Sequence, residues 1–144
     1  FSSSFSSEMK VVPGEGRHLP SIVALESSSY PDDEAATPEK IEFRLKHANP
    51  YFMVCEEEGV VVGFVNGTLT NEATLTHHSM SHHESDGSLL CIHSVVVAPN
   101  HRRKGVGSFI LEAYVRHVKD LANVQAIELL CKQELRGFYE KVGF

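Results

Sequence analysis

The chain has 144 residues and a formal net charge of −6 with its nine histidines neutral. That length predicts a single domain with one real core. The acidic balance argues against a general nucleic-acid binder, and no apolar run reaches the length of a membrane span.

The charge is compatible with a small cationic substrate. Cys55, Cys91 and Cys131 are odd in number, sit in apolar strand-like runs and form no metal-type Cys-x-x-Cys pair. They read as reduced thiols in a cytoplasmic protein. Residues 1–9 are serine-rich and lack the apolar core of a signal peptide. They read as a disordered tail or a fragment boundary, which leaves one domain over 10–144.

Met9 to Pro13 predicts a short strand, cut off by Pro13-Gly14. Pro20 to Ser28 carries Ile22, Val23 and Leu25 and reads as a short helix. Tyr30 to Glu34 is a turn. Thr37-Pro38 opens a second helix as cap and first-turn proline. Ile41, Leu45 and Ala48 give it a buried side, and Asn49-Pro50 ends it. Tyr51–Glu57 and Val60–Leu69 predict two strands joined near Glu58-Gly59, a hairpin. Asn71–Gly87 is a polar loop containing His77, His78, His82 and His83. The spacing of His78 and His82 could hold zinc on a helix, but no carboxylate–histidine motif frames them, so no metal is expected. The loop reads as a mobile cover instead.

Leu89 to Val97 is an apolar, β-branched run of strand length, broken by Ala98-Pro99-Asn100. Apolar residues then recur at Val106, Ile110, Ala113, Tyr114, Val118 and Leu121, one face of a helix. Val124–Cys131 predicts a further strand and Gln133–Val142 a last helix, stopped by Gly143. Strand–helix–strand from 89 to 131 predicts a right-handed crossover with parallel neighbours. With the antiparallel hairpin, the result is an α/β (α+β) fold with a mixed central sheet and helices on both faces.

Between strand and helix lies Arg102-Arg103-Lys104-Gly105-Val106-Gly107-Ser108. Two glycines allow a tight turn with uncovered amides. The helix start adds N–H groups and the positive dipole end, and the three basic side chains add full charge. Together they suit a phosphate or pyrophosphate. Lys104 precedes Gly105, so the P-loop pattern fails; Ile110 stands where the dinucleotide fingerprint needs glycine, so that fails too.

What remains, Arg-x-x-Gly-x-Gly after a strand ending Val-Ala-Pro, resembles motif A of the GCN5-related N-acetyltransferases (GNAT). The resemblance extends over roughly residues 19–144. It is strongest to the arylalkylamine (serotonin) N-acetyltransferases of non-vertebrate type, through Ser29 to Ala36, Gly63 to Thr68, Leu75-Thr76, Ile92 to Val95 and Phe138 to Phe144. It implies a parallel strand pair splayed to admit acetyl-CoA, with Val95, Val96 and Val97 offering strand backbone to pantetheine and residues 102–108 holding the diphosphate. It also implies that the fold continues past Phe144 with strands absent here.

Alternate strand residues share a face, so Cys91, His93 and Val95 are expected to point together. The resembled enzymes carry a histidine pair at the positions of Cys91 and His93; here His93 alone can act as base. Cys91 is expected to line the site, since a thiol is a poor general base. The resemblance casts Tyr139 as the general acid toward the CoA sulfur, and Tyr30 and Pro31 as a substrate-contacting loop. The plain alternatives are a core histidine, a core tyrosine on the last helix and an ordinary turn. The expected activity is direct acetyl transfer in a ternary complex to a small primary amine, most simply an arylalkylamine, by a monomer or weak dimer without nucleic-acid or membrane partners. The rivals are polyamine or protein-amine acceptors, and a CoA-binding module without catalysis.

Overall fold

The computed structural model describes residues 9–30, 35–71, 82–84, 86–102, 104–121 and 124–129. Five strands form one sheet in the order β1-β2-β3-β4-β5: Met9–Pro13, Phe52–Glu57, Val60–Thr70, Leu89–Val97 and Ala126–Leu129. The first four are antiparallel neighbours, and β5 pairs parallel to β4, Leu89 opposite Ala126 through Ile92 opposite Leu129. Among the described residues the α-helices are α1 (Leu19–Ser29), α2 (Pro38–His47) and α3 (Val106–Lys119). This is the mixed sheet expected from the sequence. The helix expected at Gln133–Val142, with Cys131 and Tyr139, lies outside the described residues.

Local signals explain the boundaries. The Thr37 side chain accepts the Lys40 N–H at 3.2 Å, with Pro38 in the first turn of α2. Glu58 and Gly59 both have positive φ, 52° and 82°. A two-residue turn of that kind matches the twist of the strands it joins.

The sheet has an apolar layer on each face. Ile110, Leu111, Tyr114 and Val118 of α3 pack on Met53, Cys55, Val65, Leu90 and Ile92. Ile22, Ile41 and Leu45 of α1 and α2 pack on Phe52, Val54, Phe64 and Val96. Each such side chain contributes about 1.5–3 kcal/mol when fully buried. The α3 layer is thin because Gly63 lies beneath it: a Cβ there would fall 2.6 Å from Ile110 Cδ1 and 2.7 Å from the Val96 carbonyl oxygen. Cys55 lies in this layer, and burial, then Glu57 and Glu56, pushes its thiol up to about 12. It is an inert core thiol, as the sequence suggested.

Within the same layer the Tyr114 hydroxyl donates to the Tyr51 carbonyl at 2.8 Å with no solvent exposure. It fastens α3 to the turn before β2. Tyr114→Phe is expected to cost about 1–3 kcal/mol by removing this buried donor. Urea unfolding should show a lower midpoint with an unchanged slope, and an unchanged midpoint would refute the anchoring role.

Candidate active site

β4 carries one residue more than its partner. Asn66 pairs with Ser94 and the next β3 residue, Gly67, pairs with Ile92, so His93 has no opposite number. Such a bulge resets the side-chain alternation and leaves both bulge residues on one face. The His93 ring answers the Thr68 hydroxyl, Nε2 to Oγ1 2.8 Å. Cys91, opposite Thr68, shares that face. Val95, opposite Val65, packs instead with the α3 layer. The expected grouping of Cys91, His93 and Val95 is therefore corrected: Cys91 and His93 face α1 and α2, and Val95 faces away.

The face beneath α1 and α2 is polar where it meets His93. Asn66, Thr68 and Ser94 are buried there, and so is Arg44 of α2. Ile41, Arg44 and Leu45 are three and four residues apart, so the stripe that packs on the sheet carries the guanidinium in with it. Arg44 Nη1 donates to Asn66 Oδ1 at 3.2 Å, and Asn66 Nδ2 donates to Ser94 Oγ at 2.8 Å. Burial lowers the Arg44 pKa to about 10, against the pull of Glu26, so it stays a cation at neutral pH. Glu26 of α1 is buried as well. Its Oε2 accepts the Ala36 N–H at 2.8 Å, which closes the α1–α2 connection; its Oε1 has no hydrogen-bond partner.

His93 Nδ1 is likewise buried without a partner. Burial, then the charges of Arg44 and Lys40, hold the imidazole down to about 3. It is neutral at physiological pH. Arg44, Asn66, Thr68, Ser94 and Glu26 received no role in the sequence reading. The available signal was the polar alternation Asn66, Thr68, Thr70 along an otherwise apolar strand.

The loop after β4 begins with a short turn at Pro99–His101. Gly105 has φ +82° and occupies the cap position of α3 without offering it a side chain. An L side chain rarely adopts that φ. The first amides of α3, at Val106, Gly107 and Ser108, are thus left to other acceptors. The Val106 side chain is buried in the core, so only its backbone can serve a ligand. Lys104 is exposed. Arg102 is partly spent on the protein: Nε donates to the Val97 carbonyl at 2.9 Å and Nη2 to Ser29 Oγ at 3.1 Å. Arg103 and Pro31 lie outside the described residues. Tyr30 caps α1 and packs against the α1–α2 layer.

Ala98 donates its N–H to the Val62 carbonyl at 2.8 Å, so by antiparallel alternation Val96 also turns its amide toward β3. Val95 and Val97 turn theirs to the opposite edge, where the described part of β5 pairs only with Leu89–Ile92. Val96, with its side chain in the α1–α2 layer, offers nothing to that edge and is corrected from a cofactor contact to a core residue. His93 and Val97 are about 13 Å apart along the strand.

The end of the histidine loop is anchored. Leu69 donates its N–H to His83 Nδ1 at 3.1 Å and accepts the Glu84 N–H at 2.9 Å. The Glu84 carboxylate accepts from Thr70 Oγ1 and the Asn71 N–H, both at 2.9 Å. Of the loop expected as a mobile cover, the described residues His83 and Glu84 are held against β3, beside Tyr51, whose ring centre is 6.0 Å from that of His83. His77 and His78 lie outside the described residues.

A pH prediction follows from His93. Between its ordinary value of 6.5 and about 3, the unfolded chain binds a proton that the native imidazole refuses. Stability therefore falls as pH drops through that window, by up to about 1.4 kcal/mol per pH unit from this group. His93→Gln should flatten that part of the slope in urea titrations below pH 6.5. Parallel slopes for variant and wild type would show that the ring is not held neutral.

The model of the acetyltransferase (GNAT) family matches residues 19–144. Serotonin N-acetyltransferase of Mesocricetus auratus is 35% identical over 88 residues, which cover 61% of this chain and 42% of that protein. The Homo sapiens protein of the same name is 32% identical over the same length and coverage. The aligned stretch thus covers about two fifths of the curated relatives it matches. Among solved structures, the GphF GNAT-like decarboxylase in complex with isobutyryl-CoA superposes with TM-score 0.77 at 19% identity, over 93% of this chain and 72% of that one. The loading GNATL domain of CurA from Lyngbya majuscula gives 0.76 at 18%, over 86% and 66%. These two likenesses concern the fold alone. A bulged β4 leading through a glycine turn into α3, matched by a family model that spans nearly all of the chain, makes this protein a member of the GNAT acetyltransferase family.

Proposed function

We propose that the chain transfers the acetyl group of acetyl-CoA directly to the primary amine of a small acceptor, in a ternary complex. The observation that carries this reading is His93: a half-buried, uncharged imidazole held by Thr68 on the polar face of β4. The same strand leads, through the loop 98–105, to an α3 N-terminus without a side-chain cap. An arylalkyl acceptor is the finer form of the proposal, supported by the 35% identity to a serotonin N-acetyltransferase.

The residues present fit acetyl-CoA on two structural grounds. Gly105 leaves the start of α3 without a side-chain cap, and Val95 turns its amide away from β3. In this reading the backbone of 105–108 and Lys104 take the diphosphate, and Val95 and Val97 take the pantetheine amides. Val97 is the weaker of the two, because Arg102 already donates to its carbonyl. Bound acetyl-CoA supplies the thioester. His93 then accepts a proton from the acceptor ammonium, directly or through water, and exposes the nitrogen lone pair. In this reading Cys91 lines the same face, Tyr30 and Pro31 contact the acceptor, and Tyr139 returns a proton to the departing sulfur. Burial is the main cause of the low basicity of His93, and the Arg44 and Lys40 charges add to it, so a negative charge near them would ease the proton transfer.

Calorimetry with acetyl-CoA, followed by thiol release with tryptamine, tests the proposal. His93→Gln is expected to lower kcat by about 10²–10⁴-fold while acetyl-CoA affinity holds. Gly105→Ala strains a left-handed residue by about 1–2 kcal/mol and should weaken acetyl-CoA binding several-fold. Heat-silent titrations with acetyl-CoA, or full turnover in His93→Gln, would overturn the reading.

A further inference from the structure

We propose that Arg44 selects an acceptor carrying an anionic group, such as a carboxylate, beside its amine. The acceptor class is then an amino acid or amino-acid-like amine in preference to a bare arylalkylamine. This inference rests on the acetyl-transfer reading.

Arg44 is only 7% exposed, yet it belongs to no ion pair among the described residues; those pairs join Arg17, His18 and His101 to Glu15, Glu56 and Glu57. A guanidinium carries five N–H donors in a planar fork suited to a carboxylate. The side chain spends one contact, on the neutral Asn66 amide. Among the described residues the carboxylate whose charge Arg44 feels is buried Glu26, which stays beyond ion-pair distance, with Oε2 on the Ala36 amide and Oε1 unpaired. A buried cation left this way is costly unless something else supplies the counter-charge.

Position supplies the rest of the argument. Arg44, Asn66 and Ser94 form a continuous hydrogen-bonded row, and Ser94 follows His93 in the bulge. An anion on the guanidinium would therefore sit next to an amine presented to His93. Arg44 and Lys40 make this face positive, which disfavours an ammonium arriving alone and favours one that brings its own negative charge. The same anion would offset the Arg44 and Lys40 charges, which add to burial in holding the His93 imidazole down.

Matched acceptor pairs test this in the full-length protein: L-tryptophan against tryptamine, and L-alanine against ethylamine. Wild type is expected to favour the carboxylate-bearing partner by about tenfold or more in kcat/KM. Arg44→Gln should lower that ratio on the order of 10- to 100-fold, chiefly through KM for the amino acid, with partial recovery in Arg44→Lys. Asn66→Asp guards against misfolding, because it places a carboxylate on the contact Arg44 already makes; it should lower the ratio equally. Binding of N-acetyl-L-tryptophan against N-acetyltryptamine in the presence of CoA, by calorimetry, gives a readout independent of turnover. Preference for the acetylated amino acid that is lost in Asn66→Asp, without turnover of any amine, would sustain this inference and sink the transfer reading. Turnover with tryptamine favoured, a ratio unmoved by Arg44→Gln and Asn66→Asp, or equal binding of the two products would overturn the inference.

Discussion

A single inserted residue in β4 governs the direction of the functional side chains. Had β4 matched β3 residue for residue, His93 would have shared a face with Val95 and pointed toward α3. The bulge turns it toward Thr68 instead, together with Cys91. The Val95 side chain stays in the opposite core, and its amide stays on the edge away from β3. One irregularity therefore separates an open hydrogen-bonding edge from the polar face around His93 along one strand.

The polar face around His93 is bordered by apolar packing. Phe52, Phe64 and Val96 fasten α1 and α2 at one end of that face, and the connection between the helices is closed by Glu26 and Ala36. The hydrophobic layers on both sides offset the expense of burying Arg44, Asn66 and Ser94. The glycine turn is fixed by comparable means: Arg102 reaches back to Val97 and across to Ser29, so the end of α1, the end of β4 and the start of α3 form one unit. Arg102 acts first as a brace, a role that a count of basic residues does not reveal.

Much of this was legible in the sequence because it rests on periodicity and turn chemistry. The 3.6-residue spacing from Val106 to Val118, the Glu58-Gly59 turn, the Thr37-Pro38 helix start and the glycine loop each carry a local cause. The bulge was not legible, because a period-2 reading of Leu89 to Val97 has no mark for an inserted residue. Arg44 was not legible either: an arginine in Glu-Phe-Arg-Leu-Lys reads as a solvated helix position until α2 is laid on a strand presenting Asn66. The polar face is a product of tertiary packing, so its parts look ordinary one at a time.

The clasp of His83 and Glu84 on Leu69 has a consequence for how molecules of this protein meet. β2 stops pairing at Asn66, and the next stretch of β3 would otherwise present a bare row of peptide groups on that side. Such a row is an adhesive template for a strand from another molecule. By occupying the N–H and C=O of Leu69, the returning chain works as a plug that denies those two groups to an incoming strand.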